Sequence, residues 1–275
     1  MAIPLTGTFS YSLAFTLIDE SLLVAGRVTG AEGVAIPLIH APIFEALSRS
    51  IRLIRGVRNL IESRLPGEAF ILGRSLFEES LRMAEIRYEV ASRQGLLLEL
   101  MWQGPAEMEG LLKEMEASGQ YANTWLGAPA QIAEQRRVLE QLAKQLGIKR
   151  VSFQGEKDAA YKYGRMHDYW SYRFAHSMTH GSIISHAPYR TVVESRDFGP
   201  QHLLASTEID SPELASSCAN WCARSLLQGT GAFAVVFGKD SREADQEFER
   251  SNELESHLFE RAGYGPASRQ PGPPR

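Results

Sequence analysis

Apolar residues at Ile39, Ile43, Leu47, Ile51, Ile54, Val57 and Ile61 recur every three or four positions through residues 36–61. That period gathers them on one side of a helix, and a helix with one apolar stripe must bury it against other elements. A second helix follows Pro66, a residue suited to a first helical turn. It carries Phe70, Phe77, Leu81, Ala84 and Tyr88 towards Arg93, with Gly95 as its expected stop.

Residues 96–146 are again helical in pattern, with breaks expected at Gly104-Pro105 and between Gly119 and Pro129. Residues 148–153 form a short β-branched run, too isolated to build a sheet. Asp158 opens a helix that should extend to Pro188, and a loop then leads to Asp210. Asp210-Ser211-Pro212-Glu213 combines a cap, a proline and a glutamate three residues on, and Asp240-Ser241-Arg242-Glu243 repeats the signal. The two signals open helices over 212–237 and 242–261. Residues 6–15 alternate enough to be strand-like and read equally as a frayed helix. The expectation is an all-α fold, a single multi-helix bundle over residues 1–262, with a disordered Pro/Gly/Arg tail at 263–275.

A net charge of -4 argues against a coat of nucleic acid over the whole surface and leaves room for a local basic patch. The two cysteines, Cys218 and Cys222, stand at i,i+4, side by side on a helix rather than in disulfide geometry, which fits a reducing compartment. The apolar run at 9–25 is broken by Asp19 and Glu20 and lacks a basic leader. It reads as neither signal peptide nor membrane span, so the expected location is cytoplasmic with no membrane partner. No phosphate-binding loop, dinucleotide fingerprint, zinc knuckle or nucleophile elbow is present, and no cofactor is expected.

Four of the seven histidines fall between His167 and His186, among Tyr169, Trp170, Tyr172 and Arg173. On a helix, Tyr169, Arg173, His176 and His180 share one stripe, because offsets of four, seven and eleven return to the same side. Arg173 and His180 can then reach one phosphate: the guanidinium stabilises charge on the phosphoryl oxygens, and the imidazole moves protons near neutral pH. Such a pair suits metal-independent cleavage of RNA, with Tyr169 and His176 positioning the nucleotide. On the second helix, Arg74, Glu78, Arg82 and Glu85 are spaced as a charge ladder, and an inward Glu78 would orient Arg173 or His180.

Arg173 and His180, with six residues between them, resemble the Arg-to-His motif of HEPN ribonucleases. That resemblance implies a helical endoribonuclease of a bacterial toxin or defence system, with RNA as substrate, an antitoxin or other protein partner, and a homodimer. Arg74-Ser75-Leu76-Phe77-Glu78 and His180-Gly181 also resemble two elements of a family of uncharacterised bacterial helical proteins, over residues 36–185. This second resemblance implies an all-α fold and no established activity.

Other readings stand beside the ribonuclease. His176 and His180 at i,i+4 could face one metal ion, with Glu78, Glu79 or Asp168 as oxygen ligand and Cys218 and Cys222 as further donors if the fold brings them near. Arg49, Arg52, Arg55 and Arg58 form a basic ridge, with Arg64 beyond it, that could hold phosphates or simply be solvated and ion-paired. Lys157, Lys162 and Arg165 among Tyr161, Tyr163 and Tyr169 form a second basic-aromatic stretch suited to stacking bases. The remaining alternative is a non-catalytic helical scaffold that binds a protein partner.

Overall fold

Every residue from 218 to 234 is buried, so one helix forms the axis around which the others pack. The computed structural model describes residues 3–4, 8–30, 36–117, 128–179, 190–195, 199–205 and 211–261. In chain order the elements are α1 (Tyr11–Thr29), α2 (Ala41–Glu62), α3 (Pro66–Tyr88), α4 (Arg93–Ala117), α5 (Ala128–Leu146), α6 (Glu156–Lys162), α7 (Met166–Thr179), β1 (Arg190–Ser195), β2 (Gly199–Ala205), α8 (Pro212–Val236) and α9 (Arg242–Arg261). A 3-10 turn, Leu38–His40, leads into α2. Helices α1, α2, α3 and α9 surround α8, while α7 lies chiefly on α3 and α5 on α4. The class is all-α, and one connected apolar core runs through α1, α2, α3 and α8.

The helix starts follow local chemistry. Ser211 Oγ accepts from Leu214 N at 3.1 Å with Pro212 at the first turn, and Ser10 Oγ accepts from Leu13 N at 3.0 Å. Each cap satisfies a donor that the first turn leaves open. Residues 11–29 are therefore helical, which sets aside the strand-like alternative over 11–15, while residues 6–7 lie outside the described residues.

Several expected boundaries move, each for a physical reason. Gly104-Pro105 does not interrupt α4, although a proline there removes a backbone donor and crowds the preceding turn. Buried Leu96, Leu97 and Leu98 on one side and buried Leu112 on the other anchor both halves of the helix. Their burial outweighs the roughly 3 kcal/mol that an interior proline costs. Gly95 lies inside α4 rather than ending α3. Residues 148–153 cross it closely: Val151 N donates to Gly95 O at 3.2 Å, and a Cβ at Gly95 would lie 2.5 Å from Lys149 O.

The histidine-rich helix expected from 158 to 188 is divided into α6 and α7 among the described residues, and its expected last part, 180–188, lies outside them. Gly164, at φ +68°, adopts the left-handed conformation that ends α6. The expected loop before Asp210 contains an antiparallel pair, β1 and β2, with Thr191 opposite Leu204 and Val192 opposite Leu203. The Thr191-Val192-Val193 run has the β-branched composition that suits a ladder, which a purely helical reading passed over. The tail expected at 263–275 lies outside the described residues.

Candidate functional site

Helix α7 turns Asp168, Tyr172 and Ala175 inward and leaves His167, Trp170, Arg173 and Thr179 exposed. Of the predicted stripe, Tyr169, Arg173 and His176 lie roughly a quarter-turn from the buried side, given about 100° per residue. Burial is graded accordingly. Tyr169 is half-buried, its ring stacked on Tyr172 at 5.4 Å, and half-buried His176 lies 6.3 Å from the same ring. Arg173 is exposed and makes no ion pair among the described residues. His180 falls outside the described residues.

Tyr172 joins these residues to α3. Its ring packs 5.7 Å from Phe77 and lies 5.5 Å from the guanidinium of Arg74. Arg74 Nε donates to Glu78 Oε1 at 3.0 Å, and Tyr172 also hydrogen-bonds to Glu78. Burial, followed by the charge of Glu78, raises the Tyr172 phenol above its ordinary pKa, so it stays protonated as a donor. Glu78 is thereby committed to Arg74 and Tyr172, and among the described residues no ion pair joins it to Arg173. The upper part of the predicted ladder is absent, because Glu85 turns inward and accepts from Gln154 N at 3.1 Å.

At the start of α7 lies a charge cluster that the sequence did not reveal. Asp168 bridges the guanidiniums of Arg165 and Arg224, and all three side chains are buried. Arg224 also forks onto Glu255 of α9, Arg165 Nη2 donates to Ser225 Oγ at 3.3 Å, and His167 Nε2 meets Glu255 Oε2 at 3.2 Å. The Arg165 guanidinium lies 5.3 Å from the rings of both Phe77 and Phe248. Burial alone would raise the Asp168 carboxyl, but the two guanidiniums outweigh it and hold the group below the ordinary aspartate range. The cluster ties α7 to α8 and α9 and fixes which residues α7 turns to solvent. One signal for it was legible: Arg224 is the only charged residue between Glu213 and Lys239, in an otherwise uncharged stretch, where a buried cation requires partners.

The hydrogen bond to Glu255 raises the pKa of His167, and burial opposes the shift only in part. A folded-state pKa above the unfolded value means that the stabilisation is complete below the unfolded value of about 6.5 and is lost as pH rises through the folded one. Wild type should therefore lose its advantage over His167→Gln as pH increases. Urea midpoints measured from about pH 5.5 to 9 would show this, and a gap that does not change with pH would overturn the assignment.

The basic ridge on α2 is only partly neutralised. Arg49 lies 3.9 Å from buried Glu79, and Arg58 pairs with Asp19 at 2.9 Å and Glu62 at 3.4 Å. Arg52 and Arg55 are exposed and make no ion pair among the described residues. Glu79, which Arg49 approaches, adjoins Glu78, so α3 links the ridge to the α7 residues. The second basic-aromatic stretch is divided, with Lys157, Tyr161 and Lys162 at the surface. Arg165 is buried, Tyr163 is buried and stacked on Tyr88 at 5.6 Å, and Lys162 is paired with Glu89 at 2.6 Å.

Among the described residues, no three His, Cys, Asp or Glu side chains converge on a common point that could hold a metal. Asp168 uses its oxygens on Arg165 and Arg224, Glu79 faces α2, and Cys218 and Cys222 are buried thiols within α8. None of the four stands available to His176. No described helix is long and apolar enough to cross a membrane.

These features define an all-helical protein whose seventh helix is held from below by a buried charge cluster and presents a basic and aromatic side to solvent. Residues 40–197, more than half of the chain, match a family of unknown function, DUF5677, and the chain belongs to that family. The matched region contains α2 to α7 and β1, hence Arg74, Glu78 and all of α7. No curated protein and no solved structure matches the chain.

Proposed function

We propose that the protein is a metal-independent endoribonuclease of a bacterial toxin or defence system, working in the cytoplasm with Arg173 and His180 as its catalytic pair. His180 removes the proton from a ribose 2′-hydroxyl, the 2′-oxygen attacks the adjacent phosphorus, and the bond to the 5′-oxygen breaks as that oxygen takes up a proton. Arg173 stabilises the charge that develops on the phosphoryl oxygens, while Tyr169 and His176 position the nucleotide. Arg52 and Arg55 supply phosphate contacts that do not depend on sequence. The resemblance to HEPN ribonucleases adds an antitoxin-type partner and a homodimer to this reading.

The observation that carries it is the state of Arg173. Arg74, Arg165 and Arg224 around α7 are all neutralised by carboxylates, and Glu78, the expected partner of Arg173, is taken by Arg74 and Tyr172. An exposed guanidinium left without an acid is available to a phosphate. Labelled single-stranded RNA incubated with the purified full chain in excess chelator should be cut by wild type and spared by His180→Ala. RNA left intact by the wild type would sink the proposal.

A second reading is a non-catalytic scaffold for a protein partner. It is favoured by an open groove of about 940 Å³ between the start of α2 and the α4–α5 pair, lined by Leu38, Pro42, Leu100, Met101, Ile132 and Val138. An apolar groove of this kind suits a partner helix.

A further inference from the structure

The open groove of about 940 Å³ is bounded by three elements whose side chains reach it at helical spacing. Leu38, Pro42 and Glu45 come from the start of α2, Met101, Pro105 and Met108 from α4, and Ile132, Gln135 and Leu139 from α5. Steps of three and four residues keep each set on one side of its helix, so the walls are three helix faces of roughly two turns each. Such walls are what a helix meets inside a bundle, where its apolar stripe is buried against its neighbours. Helix α5 packs chiefly on α4, and Leu38 and Val138 on the groove are 51% and 37% exposed. Gly104 lies on the same side of α4, and a Cβ there would meet nothing within 4 Å.

The charges around the groove select what fits it. Its lining includes two carboxylates, Glu45 and Glu134, and no Lys, Arg or His among the described residues. Glu134 is held by Arg137 at 2.7 Å, whereas Glu45 is exposed and makes no ion pair among the described residues. Glu107, exposed on α4 beside Met108, is likewise without one. The cations nearby are already matched: Arg49, one turn beyond Glu45, lies 3.9 Å from Glu79, and Lys113 and Arg136 both meet Glu109. An apolar floor with surplus acid at its edge complements an apolar stripe flanked by Lys or Arg. Met101 and Met108 add side chains that adapt to the shape of such a stripe.

We propose that this groove docks a basic amphipathic helix of a partner protein, its apolar stripe lying against Met101, Met108 and Ile132 and one of its Lys or Arg side chains pairing with Glu45. The inference deepens the scaffold reading and rests on it for a helical partner, and it does not depend on RNA cleavage. Each wall spans about 10 Å, so the groove engages about three apolar positions over two turns of the partner. The apolar stripe supplies affinity and the pair with Glu45 fixes orientation, while an acidic helix of the same apolar pattern is repelled.

The test titrates the full chain into a labelled synthetic peptide of about fourteen residues, with Leu at steps of three and four and Lys elsewhere, and reads fluorescence anisotropy at physiological ionic strength. Two further peptides carry Gln or Glu in place of every Lys. The Lys peptide should bind in the micromolar range and the Glu peptide at least about tenfold more weakly. Gly104→Leu, which fills the groove with a residue that favours the helix, should weaken the Lys peptide at least about tenfold without lowering the melting temperature. Glu45→Lys should weaken it about tenfold, while Glu140→Lys, on the opposite side of α5, should stay within about twofold of wild type. Equal weakening by Glu45→Lys and Glu140→Lys, or Lys-peptide binding untouched by Gly104→Leu, would overturn the proposal in favour of general charge attraction. Gln-peptide binding as tight as that of the Lys peptide and lost in Gly104→Leu would overturn the basic character of the partner and leave the scaffold reading standing. Self-association of the wild type that Gly104→Leu abolishes would assign the groove to a second copy instead. Binding of none of the three peptides would remove the groove as a docking site, and a scaffold would then need another surface.

Discussion

Replacing Asp168 by alanine is expected to destabilise the protein by about 3–5 kcal/mol, the usual cost of removing one partner from a buried ion pair. Asp168 is the one carboxylate shared by Arg165 and Arg224, and both guanidiniums are buried. Without it Arg224 keeps Glu255, but Arg165 keeps only the hydroxyl of Ser225 and two aromatic faces. Arg165 Nη1 and Arg224 Nε already find no partner among the described residues, so the cluster has no spare acceptor to absorb the loss. Asp168→Asn keeps the shape and one acceptor and should fall between wild type and Asp168→Ala. Urea denaturation checks the prediction, and a loss below about 1 kcal/mol for Asp168→Ala would mean that the two guanidiniums are not desolvated as described.

Arg173→Ala is expected to behave in the opposite way, leaving the fold intact and lowering RNA cleavage by roughly a hundredfold to a thousandfold. The side chain is exposed and without an ion pair among the described residues, so its removal should change stability by no more than about 0.5 kcal/mol. Its proposed role is electrostatic and exists at the phosphoryl oxygens of the transition state. Arg173→Lys, which keeps the charge but not the planar fork of donors, should recover part of the rate. The measurement is cleavage of labelled single-stranded RNA in chelator, run beside thermal melting. Full activity in Arg173→Ala would remove this residue from the mechanism, while inactivity with a lowered melting temperature would assign it a structural role instead.

The family match covers α3 and α7 and assigns no role to their residues. Arg74-Ser75-Leu76-Phe77-Glu78 was singled out by resemblance, and in the fold it is a working unit: Arg74 and Glu78 clasp Tyr172, and Phe77 packs against both Tyr172 and Arg165. Motif spacing alone could not show that this unit engages Tyr172 rather than Arg173. The ridge from Arg49 to Arg58 was legible as a row of cations, but the neutralisation of its two ends depends on Glu79, Asp19 and Glu62, two of which lie on other helices.

The sequence alone determined the helical class, the helix starts at residues 212 and 242, and the amphipathic side of α2. Each of these follows from interactions between residues a few positions apart, which period, caps and prolines record directly. It misjudged Pro105, Gly95 and the division at Gly164, where long-range packing or a single backbone conformation overrode local preference. Tertiary structure alone decided the facing of α7. A rotation of about a quarter-turn separates a buried Arg173 paired with Glu78 from an exposed one, and the amount of rotation is set by Asp168 locking onto Arg224, some fifty-six residues along the chain. The same lock hides Arg165 and leaves Arg173 exposed. Two residues equally able to meet RNA in the sequence therefore have opposite fates in the fold, because a buried charge settles only where its partners converge.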